Sequence, residues 1–308
     1  MPRLVSIDGS ECCVGGRSFG DDFIAQVEGV RVFGVGCLAY GDDVITRGMS
    51  SGYYDSNVAL QLEKYLVGPE LKLPDGGSVD EAVLLWGDPN FGHWIFTYLN
   101  RLPLLFQQPE LLDKYLLVLG GLPQSFYDWL PLMGFKRVIM AADGVHVNRL
   151  WVPSVVHYRD ERKQVHVSAS AVHIFRHLLA PAATGTERIY ISRDRAAHRK
   201  AVNEKELIAY LAEHGVRRVF MEDLNAKEQI DLISRCELIV TIIGASSPIT
   251  MLAPKSCRIV EIGLPGFSGV FGSAAWAKII GQDYKRIEAA PVSSGINSNV
   301  EVPLCVLE

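Results

Sequence analysis

Between Glu187 and Glu204 the chain reads ERIYISRDRAAHRKAVNE, and Arg193, Arg195, His198, Arg199 and Lys200 crowd into eight residues of it. The run Arg188-Ile189-Tyr190-Ile191 alternates as a strand does. Asn203, with Glu204 and Glu206 behind it, reads as a helix start: an asparagine cap and carboxylates in the first turn. A strand, a cationic loop and a helix start together hold a phosphate, because side-chain cations and free helix N–H groups converge on one point. Arg193 and Arg199 are six residues apart, so a compact loop aims both guanidinium groups at one diphosphate. Each planar fork pairs two phosphate oxygens at once. The plain alternative is a solvated basic loop with no ligand.

Composition bounds what such a loop serves. The 308 residues suffice for two domains with separate cores, and 48% hydrophobic with 21% charged residues is a globular balance. A net charge of −5 argues against a general nucleic-acid binder, which needs a basic field across a whole face. The cationic loop is local and suits a small anion. Cys12, Cys13, Cys37, Cys236, Cys257 and Cys305 form no CxxC pair and no zinc spacing with histidine, so reduced thiols in a cytoplasmic protein are expected. The start, MPRLVSIDGSECC, lacks the basic-then-apolar layout of a signal peptide, and no run approaches the ~18 apolar residues of a membrane span. Any membrane association is then peripheral, from the soluble side.

The elements that must position the loop follow from periodicity. Short strands are expected at Val5–Ile7, Phe23–Val27, Val30–Val35 and Val44–Ile45, then a polar aromatic loop over 52–57 and a helix over 58–67. From Ala82 the pattern alternates: strand to Trp86, helix over 92–106 kinked at Pro103, strand 115–119, helix 123–133, strands 137–140 and 150–152, and helix 168–179. The small, flexible tract Ala180 to Thr186 reads as a domain boundary, placing one domain at 1–182 and a second at 183–280. The second half repeats strand and helix more regularly, with strands at 189–192, 218–221, 238–242 and 258–262. Such alternation implies an α/β fold with a parallel sheet, which binds ligands at the carboxyl ends of its strands. Arg193, the Gly244-Ala245 turn and Glu261 all fall at such ends.

Two stretches taken together resemble glycosyltransferase family 61. The first is NFGHWIFTYLNRLPLL, through His93, Trp94, Leu99, Arg101 and Leu102. The second runs over roughly 189–262, through Arg193, Arg199, Asn203-Glu204, Glu228-Gln229, Gly244-Ala245, Ala253-Pro254 and Glu261-Ile262 in the family's order. The resemblance implies a GT-B architecture, two Rossmann-like domains facing a central cleft. The C-terminal domain would hold a nucleotide-sugar, a UDP-sugar first among them, and the N-terminal domain a glycan or lipid-linked glycan acceptor. It implies inverting transfer of a hexose or pentose to a growing polysaccharide, with no metal and no other cofactor, and places the protein in the cytoplasm or peripherally beside membrane-bound polysaccharide machinery. By analogy with GT-B proteins the tail, 281–308, is expected to cross back to the first domain. The family usually carries His-Gly-Ala at the second glycine turn and often an asparagine a few residues on. Here those positions are Ile243 and Ile249, which leaves open a non-catalytic member that binds nucleotide-sugar or a partner.

Each assigned role has a structural counterpart. His93 is the expected base for the acceptor hydroxyl, since a helix N-terminus favours neutral imidazole; the alternative is a capping or packing histidine beside Trp94. Asp88 and Asp55 are fallback bases, and otherwise turn residues. Arg193 and Arg199, with Lys200, are assigned to the donor diphosphate. Asn203 and Glu204 either touch the donor or only cap the helix. Gly244, Ala245, Ser246 and Ser247 allow close backbone approach and polar contact to the donor, or form an ordinary turn. Glu261 accepts ribose hydroxyls, or pairs with an arginine such as Arg258. Trp94 and Arg101 are placed on the acceptor side. Arg195 and His198 are read as surface residues.

Overall fold

The computed structural model describes residues 3–6, 23–34, 36–40, 43–47, 64–67, 70–159, 165–180, 185–266 and 273–306. Asp55, Cys12, Cys13 and the expected loop over 52–57 lie outside the described residues. The chain divides into two compact units, Met1–Ala171 and Val172–Glu308.

The first unit is built on an eight-stranded sheet. Its strands are β1 (Arg3–Ser6), β2 (Ile24–Phe33), β3 (Cys37–Tyr40), β4 (Asp43–Arg47), β7 (Ser78–Leu84), β8 (Leu116–Leu119), β9 (Val138–Ala141) and β10 (Val145–Pro153), in the order β1-β4-β3-β2-β10-β7-β8-β9. β5 (Leu66–Val67) and β6 (Glu70–Leu71) form a separate ribbon, as do β11 (His157–Arg159) and β12 (Val165–Val167). The ladder β10-β7-β8-β9 is parallel up to the β9 edge, whereas the pairs β10-β2, β2-β3 and β3-β4 are antiparallel and β4-β1 is again parallel. Half of this sheet therefore follows the expected Rossmann-like pattern and the entry half does not.

Two expected strands at 23–27 and 30–35 are one strand, β2. Gly29 takes φ +63°, yet pairing with β10 resumes on both sides, Glu28 with Arg149 and Val30 with Val147. The glycine puts a local irregularity into a continuous strand. The helix expected over 58–67 is not seen where residues are described: Leu66 and Val67 form β5 instead. The helix expected over 92–106 is a composite of an α-turn at Phe91–His93, a π-turn at Trp94–Tyr98 and a 3₁₀ stretch at Leu99–Gln107. Pro103 has no N–H to donate and its ring crowds the carbonyl four residues back, so regular α-helix is excluded there.

The second unit carries a wholly parallel five-stranded sheet: β13 (Glu187–Ile191), β14 (Arg217–Val219), β15 (Cys236–Ile242), β16 (Arg258–Gly263) and β17 (Asp283–Glu288), in the order β14-β13-β15-β16-β17. Helices Glu204–Glu213, Ala226–Ile233 and Ser273–Ile280 connect these strands. Strands covered on both faces need near-continuous apolar runs, and Ile189, Tyr190 and Ile191 of β13 are buried accordingly. The described tail residues pack within this unit. β17 is an edge strand, β18 (Ala290–Pro291) and β19 (Val300–Glu301) form a ribbon, and Val300 and Val302 join the core around Tyr190, Leu207 and Val240.

Candidate active site

In the second unit the chain leaves β13 toward β14 on one side, and later returns to place β15 on the other. The winding reverses between β13 and β15, and the crevice beyond their carboxyl ends is where a sheet of this order binds a ligand. Ser192, Arg193 and the loop to Lys200 leave the end of β13, while Ile243 and Gly244 leave the end of β15. Arg193 and Gly244, two of the residues singled out by spacing, therefore meet at the switch point.

Arg193 is only 8% exposed. Its guanidinium lies across the Gly244 backbone: a Cβ built on Gly244 would stand 1.8 Å from Arg193 Nη1. Nη2 donates to the His198 carbonyl at 3.0 Å, and the buried Nε has no hydrogen-bond partner. Burial first, and then the neighbouring charge of Arg199, push the Arg193 guanidinium down to about 10, with Tyr190 and Glu222 acting in the opposite sense. Arg199 itself has φ +58°, a left-handed conformation that a side-chain-bearing residue holds only when its surroundings impose it. The two like charges are near enough to act on each other, and one of them is desolvated.

The surrounding polar residues hold this loop. Glu204 is buried and accepts from Ser192 Oγ at 2.6 Å and Tyr190 OH at 3.0 Å, so its carboxylate is used inside the fold. Asn203 provides no side-chain cap; its amide donates to the Val302 carbonyl and accepts from the Val302 N–H. Lys200 has both backbone groups engaged with Asn299 and Val300. Arg195 is exposed, as expected; it pairs with Asp223 at 2.5 Å and lies 3.8 Å over the Phe220 ring, tying the loop to the end of β14.

The glycine segment is a tight turn closed between Gly244 and Ser247. Ser247 is fully buried and its hydroxyl accepts from Gly244 N at 3.1 Å, so that amide points into the turn. Gly244 makes room for the guanidinium. Ala245 and Ser246 are half-buried at the turn's outer side. Arg176 donates to the carbonyls of Met251 and Ala253, and Gln282 donates to that of Ala253, holding the far end of the 3₁₀ turn Ser247–Leu252. Ile243 and Ile249 are core residues.

Glu261 is 1% exposed and accepts from Ser273 Oγ at 2.6 Å and Tyr284 OH at 3.0 Å. Its ion-pair partner is Arg286, at 3.9 Å, while Arg258 pairs with Asp283. Arg286 covers Gly263 much as Arg193 covers Gly244: a Cβ on Gly263 would meet Arg286 Nη2 at 2.5 Å. β17 is not evident from periodicity, so nothing in the sequence pointed to Arg286. Glu228 caps its own helix in a box with Asn225, and Gln229 donates to Met221 and Leu224 carbonyls.

In the first unit, His93 stands just past the carboxyl end of β7, a strand interior to the parallel ladder. The chain turns there through Trp86, at φ +63°, and Gly87, at φ +153°, where a side chain would strike Leu122 and Trp94. Asn90 then caps the turn, accepting from Gly92 N and His93 N. Burial lowers the His93 pKa below its usual 6.5, and Asp88 offsets part of that. The imidazole is therefore neutral at pH 7 and able to accept a proton. Asp88 accepts from the Asn90 N–H at 2.6 Å, as a turn aspartate does.

Trp94 and Arg101 are not surface contacts. Trp94 is fully buried and stacks on Phe126 with centroids 5.7 Å apart. Arg101 is 2% exposed, donates to the Thr97 carbonyl at 2.8 Å and sits 5.4 Å over the Tyr98 ring. Both are packed inside the first unit.

No curated protein matches the chain. The family model described as Glycosyltransferase 61 matches residues 91–260, beginning two residues before His93 and ending in β16, and so spans more than half of the 308 residues. The match takes in all but Asn90 of the first stretch and all but Glu261-Ile262 of the second, and the chain belongs to glycosyltransferase family 61.

Proposed function

We propose that the protein is an inverting glycosyltransferase that moves a sugar from a nucleotide-sugar to a hydroxyl of a growing glycan. The second unit binds the donor and the first presents the acceptor, as in a GT-B enzyme. The reading is carried by one observation: Arg193, desolvated beside Arg199 at the switch point of a parallel sheet. A departing nucleoside diphosphate concentrates negative charge there as the anomeric C–O bond breaks. Preset guanidinium groups stabilise that charge without reorganising at the moment of reaction. This supplies the counter-charge that a metal provides in other transferases, which is why the proposal is metal-independent chemistry.

In the same proposal His93 takes the proton of the acceptor hydroxyl while its oxygen attacks the anomeric carbon opposite the leaving phosphate oxygen. One C–O bond forms, one breaks, the anomeric configuration inverts, and the proton ends on the imidazole. The donor is a UDP-sugar in the first instance. The acceptor is a glycan or lipid-linked glycan, and the protein works in the cytoplasm or beside the membrane; among the described residues no helix is long and apolar enough to cross one.

A second reading, a nucleotide-sugar-binding member without turnover, is favoured by Ile243 and Ile249, both buried where the family usually offers polar side chains. Incubation with a panel of nucleotide-sugars separates the two. Sugar release or transfer lost in His93→Ala, with nucleotide affinity kept within a few-fold, supports the enzyme. Tight nucleotide binding with no release from any donor supports the second reading.

A further inference from the structure

The loop that carries Arg199 is fastened along its far side by the tail of the chain. Lys200 N donates to Asn299 Oδ1 at 3.1 Å, Val300 N donates to the Lys200 carbonyl at 2.8 Å, and Val202 N donates to the Val300 carbonyl at 2.8 Å. Ala201 and Val300 form a parallel bridge. Asn203 then closes both of its amide atoms on the backbone of Val302, at 2.8 and 3.0 Å. Val300 and Val302 are themselves buried in the core with Tyr190 and Leu207. The fastening begins at the residue immediately after Arg199, the left-handed position at φ +58°. A side chain held in that region relaxes toward negative φ unless its neighbours are fixed.

We propose that the tail segment Asn299–Val302 is the positioning element of the anion site, a clasp that holds Arg199 in its ligand-ready backbone conformation through Asn299 and Asn203. The proposal rests on reading the Arg193–Arg199 loop as that site. Because the tail is anchored in the core, it fixes where the loop sits. None of its residues needs to touch the ligand.

Inorganic pyrophosphate is the test ligand, titrated calorimetrically into the full chain. Asn299→Ala removes one hydrogen bond from the clasp and weakens pyrophosphate about three- to tenfold, the range of a single such bond. Arg199→Ala weakens it more, and the double variant is no worse than Arg199→Ala within about twofold, because Asn299 acts only through Arg199. Hydrogen exchange at the Lys200 and Val202 amides speeds up in Asn299→Ala without ligand. Asn203→Ala, which frees Val302, gives the same pattern should Asn299→Ala fail to fold. Unchanged affinity and exchange, or effects that add in the double variant, overturn the clasp while the anion site stands. Pyrophosphate binding that Arg193 and Arg199 substitutions leave unaltered overturns the anion site and the clasp with it.

Discussion

Keeping a guanidinium buried beside a second one costs stability unless something anionic shares the space. The proposed anion site therefore predicts that the charge of Arg193 does not stabilise the unliganded protein. Arg193→Met keeps an unbranched side chain over Gly244 and removes the charge. Its melting temperature without ligand is expected to equal or exceed that of the wild type, while pyrophosphate affinity falls about tenfold or more. Gly244→Ala produces the same loss by another route, since its Cβ and the guanidinium cannot occupy one place. A calorimetric titration alongside a thermal melt checks both. His93 gives a prediction with a sign. Its folded pKa lies below the unfolded value near 6.5, so between the two the unfolded chain binds the proton first. Stability is then fully present above about pH 6.5 and is lost as pH falls toward the folded pKa. His93→Gln should flatten that part of the curve in denaturant melts at a series of pH values, and abolish sugar transfer at every pH.

At the scale of elements, the helix Glu204–Glu213 and β13 are joined by one carboxylate that binds Tyr190 and Ser192. Glu204→Ala leaves both hydroxyls without their acceptor and should cost about 2–4 kcal/mol of unfolding free energy, measured by urea titration. A ligand-contact role alone would leave stability unchanged. This residue shows how far the sequence could be read. The strand, the loop and the helix start of 187–204 follow from alternation, charge and an asparagine. What Glu204 and Asn203 do was not readable, because their partners are a hydroxyl at the strand's end and a backbone about a hundred residues away. Gly244 is similar: the turn was legible, its occupant was not. β17 and Arg286 were missed because Asp283–Glu288 is a partly exposed edge strand with little apolar alternation. The 92–106 segment was read as one helix, and Pro103 as its kink, but the π-turn that buries Trp94 and Tyr98 depends on packing.

For the whole molecule, the alternation of strands and helices foretold a parallel sheet in the second unit, and its order places the switch point between β13 and β15. The first unit mixes parallel and antiparallel pairing, and its opening strands carry too few residues of either period to announce that. The account requires His93 of one unit and the arginines of the other to serve one reaction, with charge on the leaving group met by protein cations. EDTA should therefore leave transfer unchanged, and a strict requirement for Mn²⁺ in a donor-turnover assay would contradict the metal-independent part of the proposal. The central claim concerns the diphosphate. It is tested most directly by titrating UDP into the wild type, Arg193→Met and Arg199→Ala. The account predicts saturable binding to the wild type that weakens about tenfold or more in each variant. Equal affinity in all three proteins would contradict it.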